Sequence, residues 1–272
     1  LCDAAGDLLI ISRGRLRRVG RDGIITTLDA FPGGIRYPSG MSSDPEGNLY
    51  IAAGGLDGEG SYRVYKMDTL GVVTTVAGNG APGSPDGTGD GLPATEVGIT
   101  PTDVAADAFG NVYVSEGRFV ATDGGENSDP ALFRVRKVDA DGIISTVAGT
   151  GQKGYAGEGG PAVDADLPDI HGISVDGSGN LYLSANALIL RVGTDGIITT
   201  VAGGNGYGHS GDGGPATDAE IASAYRAVPD AAGNLWFSQI FNDGGRVRKV
   251  DAAGIITTVA GTGESGADGD GG

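Results

Sequence analysis

The sequence predicts an all-β protein, a β-propeller of four-stranded antiparallel blades, on three observations. A two-strand module recurs five times: the glycine ending its turn stands at Gly23, Gly71, Gly142, Gly196 and Gly254, followed by IITTL, VVTTV, IISTV, IITTV and IITTV. A second element, Asp-x-x-Gly and a short apolar run, precedes each copy: DAAGDLLI from Asp3, DPEGNLYI from Asp44, DAFGNVYV from Asp107, DGSGNLYL from Asp176 and DAAGNLWF from Asp230. Glycine supplies 53 of 272 residues without a three-residue period and with β-branched runs between, which excludes collagen and marks turns.

Each element follows from local chemistry. Strand a is a short run ending at the aspartate, such as GISVD at 172–176. Asp-x-x-Gly then turns the chain, because aspartate accepts from nearby backbone amides and glycine adopts positive φ at little cost. Strand b is the NLYI run, strand c the RVRKV run and strand d the IITTV run, all rich in β-branched and aromatic residues. Four antiparallel strands per repeat describe one propeller blade. The repeats fall at roughly 1–39, 40–102, 103–171, 172–225 and 226–272, a single domain. In the linkers, Thr217-x-x-Glu220 after Pro215 has the pattern of a capping box on a short helical turn.

The run GISVDGSGNLYLS, the RVRKVDADGIISTVAGTG module and linkers such as GYAGEGGPAVDADL resemble the NHL-repeat β-propellers, in the long-linker form of secreted bacterial and teneurin-like surface proteins. The resemblance extends over essentially the whole chain. It implies a secreted or cell-surface location, and a fold shared by proteins with unrelated functions. Leu1-Cys2-Asp3 aligns with the end of strand a, and Gly272 precedes the next, giving five b-c-d sets but four complete a strands. The expectation is a five-bladed propeller, or a six-bladed one with a blade outside the sequence. An incomplete blade also exposes an edge for strand addition by another copy.

Thirty-five acidic residues against 18 basic ones give a net charge of −17, which disfavours nucleic acid as a partner. Most bases lie in strand c, where turn aspartates such as Asp139 and Asp251 are the expected partners. This departs from the RNA-binding members of the family, whose recognition face is basic. Cys2, the only cysteine, excludes an intrachain disulfide, and burial is expected for it in a strand. No apolar run approaches the roughly 20 residues that span a bilayer.

Long b–c and d–a connections share one face of an up-and-down blade, so ligand contacts are expected there. At the start of strand a, the repeats differ: Ser39-Gly40, Thr102-Asp103, His171-Gly172 and Tyr225-Arg226. Asp103, His171, Tyr225 and Arg226 are the candidate ligand-binding residues at the channel mouth, with the 115–133 loop beside them. Asp86-Gly-Thr-Gly-Asp90-Gly opens like a calcium loop, making Asp86 and Asp90 candidate calcium ligands, although Glu96 falls one position short of the usual glutamate. His171 and His209 are the only histidines. They cannot supply the several histidines of the related amidating lyases, and no nucleophile elbow or phosphate loop is present.

These features favour a non-catalytic extracellular or cell-surface propeller that binds protein, glycan or another copy of itself. The alternative is a metal-assisted lyase or hydrolase at the channel mouth, built from Asp103, His171 and Tyr225.

Overall fold

The computed structural model describes all residues except 2, 4–5, 13, 29–30, 32–34, 36–37, 55–61, 85–88, 118–131, 242–243 and 265–272. Cys2, Asp86 and most of the 115–133 loop therefore lie outside the described residues. The chain divides into two compact units, Leu1–Gly154 and Tyr155–Gly272.

The first unit carries three antiparallel sheets, each a propeller blade. Blade one is β1 (Leu8–Ser12), β2 (Arg15–Val19) and β3 (Ile25–Leu28). Blade two is β4 (Pro38–Ser43), β5 (Leu49–Ala53), β6 (Tyr62–Met67) and β7 (Val73–Gly80). Blade three is β8 (Pro101–Ala106), β9 (Val112–Glu116), β10 (Arg134–Val138) and β11 (Ile144–Ala148). The second unit carries two more: β12 (Ile170–Val175), β13 (Leu181–Ala185), β14 (Leu188–Val192) and β15 (Ile198–Gly203), then β16 (Val228–Pro229), β17 (Leu235–Phe241), β18 (Gly244–Val250) and β19 (Ile256–Ala260). Strands a to d follow in order in the four complete blades, as the repeats predict. Strand β16 is only two residues long, and Pro229 has no amide to extend the ladder.

The core lies between neighbouring blades within each unit. In the first unit Val64 and Ala77 of blade two pack with Ile99, Val104, Val114 and Ile144. In the second, Ile189 and Ala202 of blade four pack with Ile221, Phe237 and Ile256. Strands of adjacent blades approach closely enough to require glycine at their start: a Cβ on Gly172 would lie 2.8 Å from the Arg226 Cα.

The Asp-x-x-Gly turns bond as anticipated. Asp107 Oδ1 accepts the Phe109 and Asn111 amides, while Oδ2 accepts the Asn111 side-chain amide and the Tyr113 hydroxyl. The linker turns differ from expectation. Ala216–Asp218 is a three-residue 3-10 turn whose preceding residue is Pro215, and no side chain caps it. Proline offers no hydroxyl, and the Ala216 amide donates instead to the Gly254 carbonyl, which ties the linker to the c–d turn.

Candidate functional site

The c-strand arginines correct the expected charge pairing. Asp139 and Asp251 spend Oδ1 on their own turn amides, at Asp141 and Ile143 and at Ala253 and Ile255. In blade one Arg18 does pair with a turn aspartate, Asp7, at 2.6 Å, whereas the arginines of blades three and five pair with acids far away in sequence. Arg136, 2% exposed, donates Nη2 to Asp90 Oδ1 at 2.6 Å and Nη1 to Glu116 Oε2 at 3.4 Å. Arg248, fully buried, donates Nη2 to Asp212 Oδ1 at 2.6 Å and Nη1 to Gln239 Oε1 at 3.4 Å. Burial pushes the Glu116 carboxyl above its ordinary pKa, and Arg136 opposes that rise. Burial alone would also raise Asp212, but the Thr258 and Arg248 hydrogen bonds bring it below the usual carboxylate value.

The repeats place these arginines in one slot between strand c and the preceding linker. Arg136 lies opposite Thr146, Leu190 opposite Thr200 and Arg248 opposite Thr258, each just after a register shift at the same point of the strand. The linker acid is held the same way each time. The Thr146 amide donates to Asp90 at 2.9 Å, and the Thr200 amide and hydroxyl donate to Glu158 at 2.8 and 2.9 Å. Thr258 bonds Asp212 through both groups. Blade two fills its slot differently, with Tyr65 edge-on to Phe31 at 6.0 Å between ring centroids.

Blade four alone of these keeps the acid and lacks the arginine. Leu188 and Leu190 stand where blade three has Arg134 and Arg136, and Ala185 stands where it has Glu116. The result is a cleft of about 440 Å³, with Leu188, Leu190 and Ile198 on its walls, Glu158 in it and Tyr155 and Tyr207 among its lining residues. Both tyrosines are more than half exposed. Sequence reasoning misses this cleft because it looks for ligand contacts on the long connections and at the start of strand a, and not in strand c. The signal was present in LILRV at 188–192, which replaces RVRKV.

Of the residues expected at the channel mouth, His171 and Tyr225 come together in the second unit. Their rings are 5.9 Å apart and tilted by 33°, and His171 Nδ1 lies 3.3 Å from the Ala224 carbonyl. Arg226 is half-buried beside Gly172, whereas Asp103, in the first unit, is buried against Gly40. Asp90 has both oxygens engaged, by Arg136 and Thr146, and so acts as an ion-pair partner in this structure. Among the described residues no three His, Cys, Asp or Glu side chains form a metal-binding group, and no helix is long and apolar enough to cross a membrane.

Comparison with known proteins places the chain as follows. No family model matches it. Teneurin-1 of Gallus gallus is 35% identical over 69 residues, 23% of this chain, and that of Mus musculus is 36% identical over 78 residues, 26% of this chain. Each match spans 3% of the teneurin. A gluconolactonase from Xanthomonas campestris has a TM-score of 0.60 at 17% identity, covering 96% of this chain and 74% of that one. Virginiamycin B lyase from Staphylococcus aureus has a TM-score of 0.53 at 14% identity, covering 95% and 68%. These likenesses show the propeller fold. They also correct the expectation of a non-enzyme, which rested on missing contiguous motifs. Proteins named as enzymes share this scaffold, and a repeat fold assembles a site from single residues on separate repeats, leaving no motif to find.

Proposed function

We propose that this chain is the propeller of a secreted or cell-surface protein of the NHL-repeat, teneurin-like kind, and that it takes a protein or glycan ligand on the linker side of its blades. The blade-four cleft carries this reading. Its volume is within the range of ligand sites, its lining is largely apolar with the carboxylates of Glu158 and Asp166 among it, and exposed tyrosines flank it. Tyrosine is a preferred contact residue because it covers area with few rotatable bonds. Screening short peptides and oligosaccharides by methyl NMR tests it. Hits are expected to shift Leu188, Leu190 and Ile198 and to weaken in Tyr155→Ala/Tyr207→Ala. Hits that shift only other methyls would contradict it.

A second reading, a hydrolase or lyase at the channel mouth, is favoured by the His171–Tyr225 pair and by likeness to the gluconolactonase and the lyase. His171 has no set of carboxylate or histidine neighbours that fits a metal among the described residues, so no metal-assisted step is derived. Lactone hydrolysis that disappears in His171→Ala would support it; equal rates in the variant would end it.

A further inference from the structure

The chain contains its own templates for what the blade-four cleft should hold. In blades three and five, the same slot encloses a buried guanidinium bonded to a linker carboxylate at 2.6 Å. Blade four retains the linker carboxylate and the threonine that orients it, and lacks the arginine together with its deep partner. We propose that the cleft binds the arginine side chain of a polypeptide partner, which inserts its guanidinium where Arg136 and Arg248 place theirs. This rests on the cleft being the ligand site, and it names the ligand's chemistry.

Three physical features select that group. A carboxylate offers about four acceptor positions. Two of those on Glu158 are taken by Thr200, which leaves acceptor capacity with the orientation already fixed. The guanidinium is planar and weakly hydrated on its faces, so leucine and isoleucine walls suit it better than they suit an ammonium. Tyr155 and Tyr207 add exposed aromatic rings to the lining, on which a guanidinium can stack. The net charge of −17 adds a general attraction for a basic segment.

Removal of Arg136's counterpart is not a simple loss of packing. Ala185 replaces Glu116 or Gln239, so no glutamate or glutamine is left buried there without an arginine, and Leu188 and Leu190 give the cleft an apolar floor. The changes at 185, 188 and 190 together convert a self-filled slot into an open one while sparing its outer carboxylate.

Methyl NMR of the whole chain, titrated with N-acetyl-argininamide, tests this. N-acetyl-citrullinamide (neutral, same shape), N-acetyl-lysinamide and N-acetyl-norleucinamide serve as comparisons. The arginine probe should shift Leu188, Leu190 and Ile198 saturably. Glu158→Gln should weaken it about tenfold, the loss of one charge-assisted bond. Leu190→Arg, which supplies the guanidinium from within, should abolish the shifts while amide spectra show the fold intact. Citrulline, lysine or norleucine binding as tightly as arginine would overturn the guanidinium assignment and leave the cleft standing as a ligand site. Cleft methyls unmoved by all four probes, yet moved by another peptide or glycan, would overturn arginine alone. Unmoved by any ligand, they would overturn both.

Discussion

Asp230 shows how much one turn residue does. The Asn234 side-chain amide, the Trp236 indole and the Asn234 backbone amide donate to it and hold its carboxyl at about 2, below the ordinary 3.8. The native state therefore binds fewer protons than the unfolded chain between those values, and stability falls as pH drops from about 4 to about 2. A carboxyl-carbon NMR titration should place the Asp230 midpoint near 2, and Asp230→Asn should remove its share of the acid sensitivity. A midpoint near 3.8 would show that these bonds do not form. This turn was legible from Asp-x-x-Gly-Asn because every partner lies within six residues. The arginine partners were not: Asp90 is 46 residues from Arg136, and local spacing points to Asp139, whose oxygen is already committed to its own turn.

At the scale of the strand and its linker, the buried arginine and its two acids act as one unit. Arg136→Leu strands Glu116 in the core and should cost about 3–5 kcal/mol, as removal of one partner of a buried ion pair does. Glu116 is already pushed up by burial and loses Arg136, the largest influence opposing that rise, keeping only the Thr100 amide and the more distant Arg134, so the loss should grow as pH rises through the carboxylate range. The double variant Glu116→Ala/Arg136→Leu copies blade four and should recover at least half of that loss in urea unfolding. Additive losses would mean that Glu116 and Arg136 are energetically independent. The same comparison explains why strand c misled sequence reasoning. Its basic residues recur from repeat to repeat, and the informative feature is the repeat that keeps the linker acid and lacks the arginine.

For the whole chain, the repeat period, the Asp-Gly turns and the strand alternation specified five antiparallel blades, including the three-stranded first one. Those features recur because every blade needs them. The site was less legible because it arises from departures at 185, 188 and 190 that become a cleft only when strand and linker are packed together. His171 and Tyr225 were found from aligned variation, and their ring contact follows from the glycine-spaced approach of neighbouring a strands.

As proposed above, blade four is a guanidinium slot without its guanidinium. Urea unfolding of Leu190→Arg/Ala185→Gln, which rebuilds the blade-five arrangement, tests it most directly. A ready slot accepts the new arginine, so stability should stay within about 1 kcal/mol of the parent, whereas an arginine forced into an ordinary apolar core lacks a partner and costs several kcal/mol. Stability near the parent's is the predicted result; a loss of more than about 3 kcal/mol would contradict it.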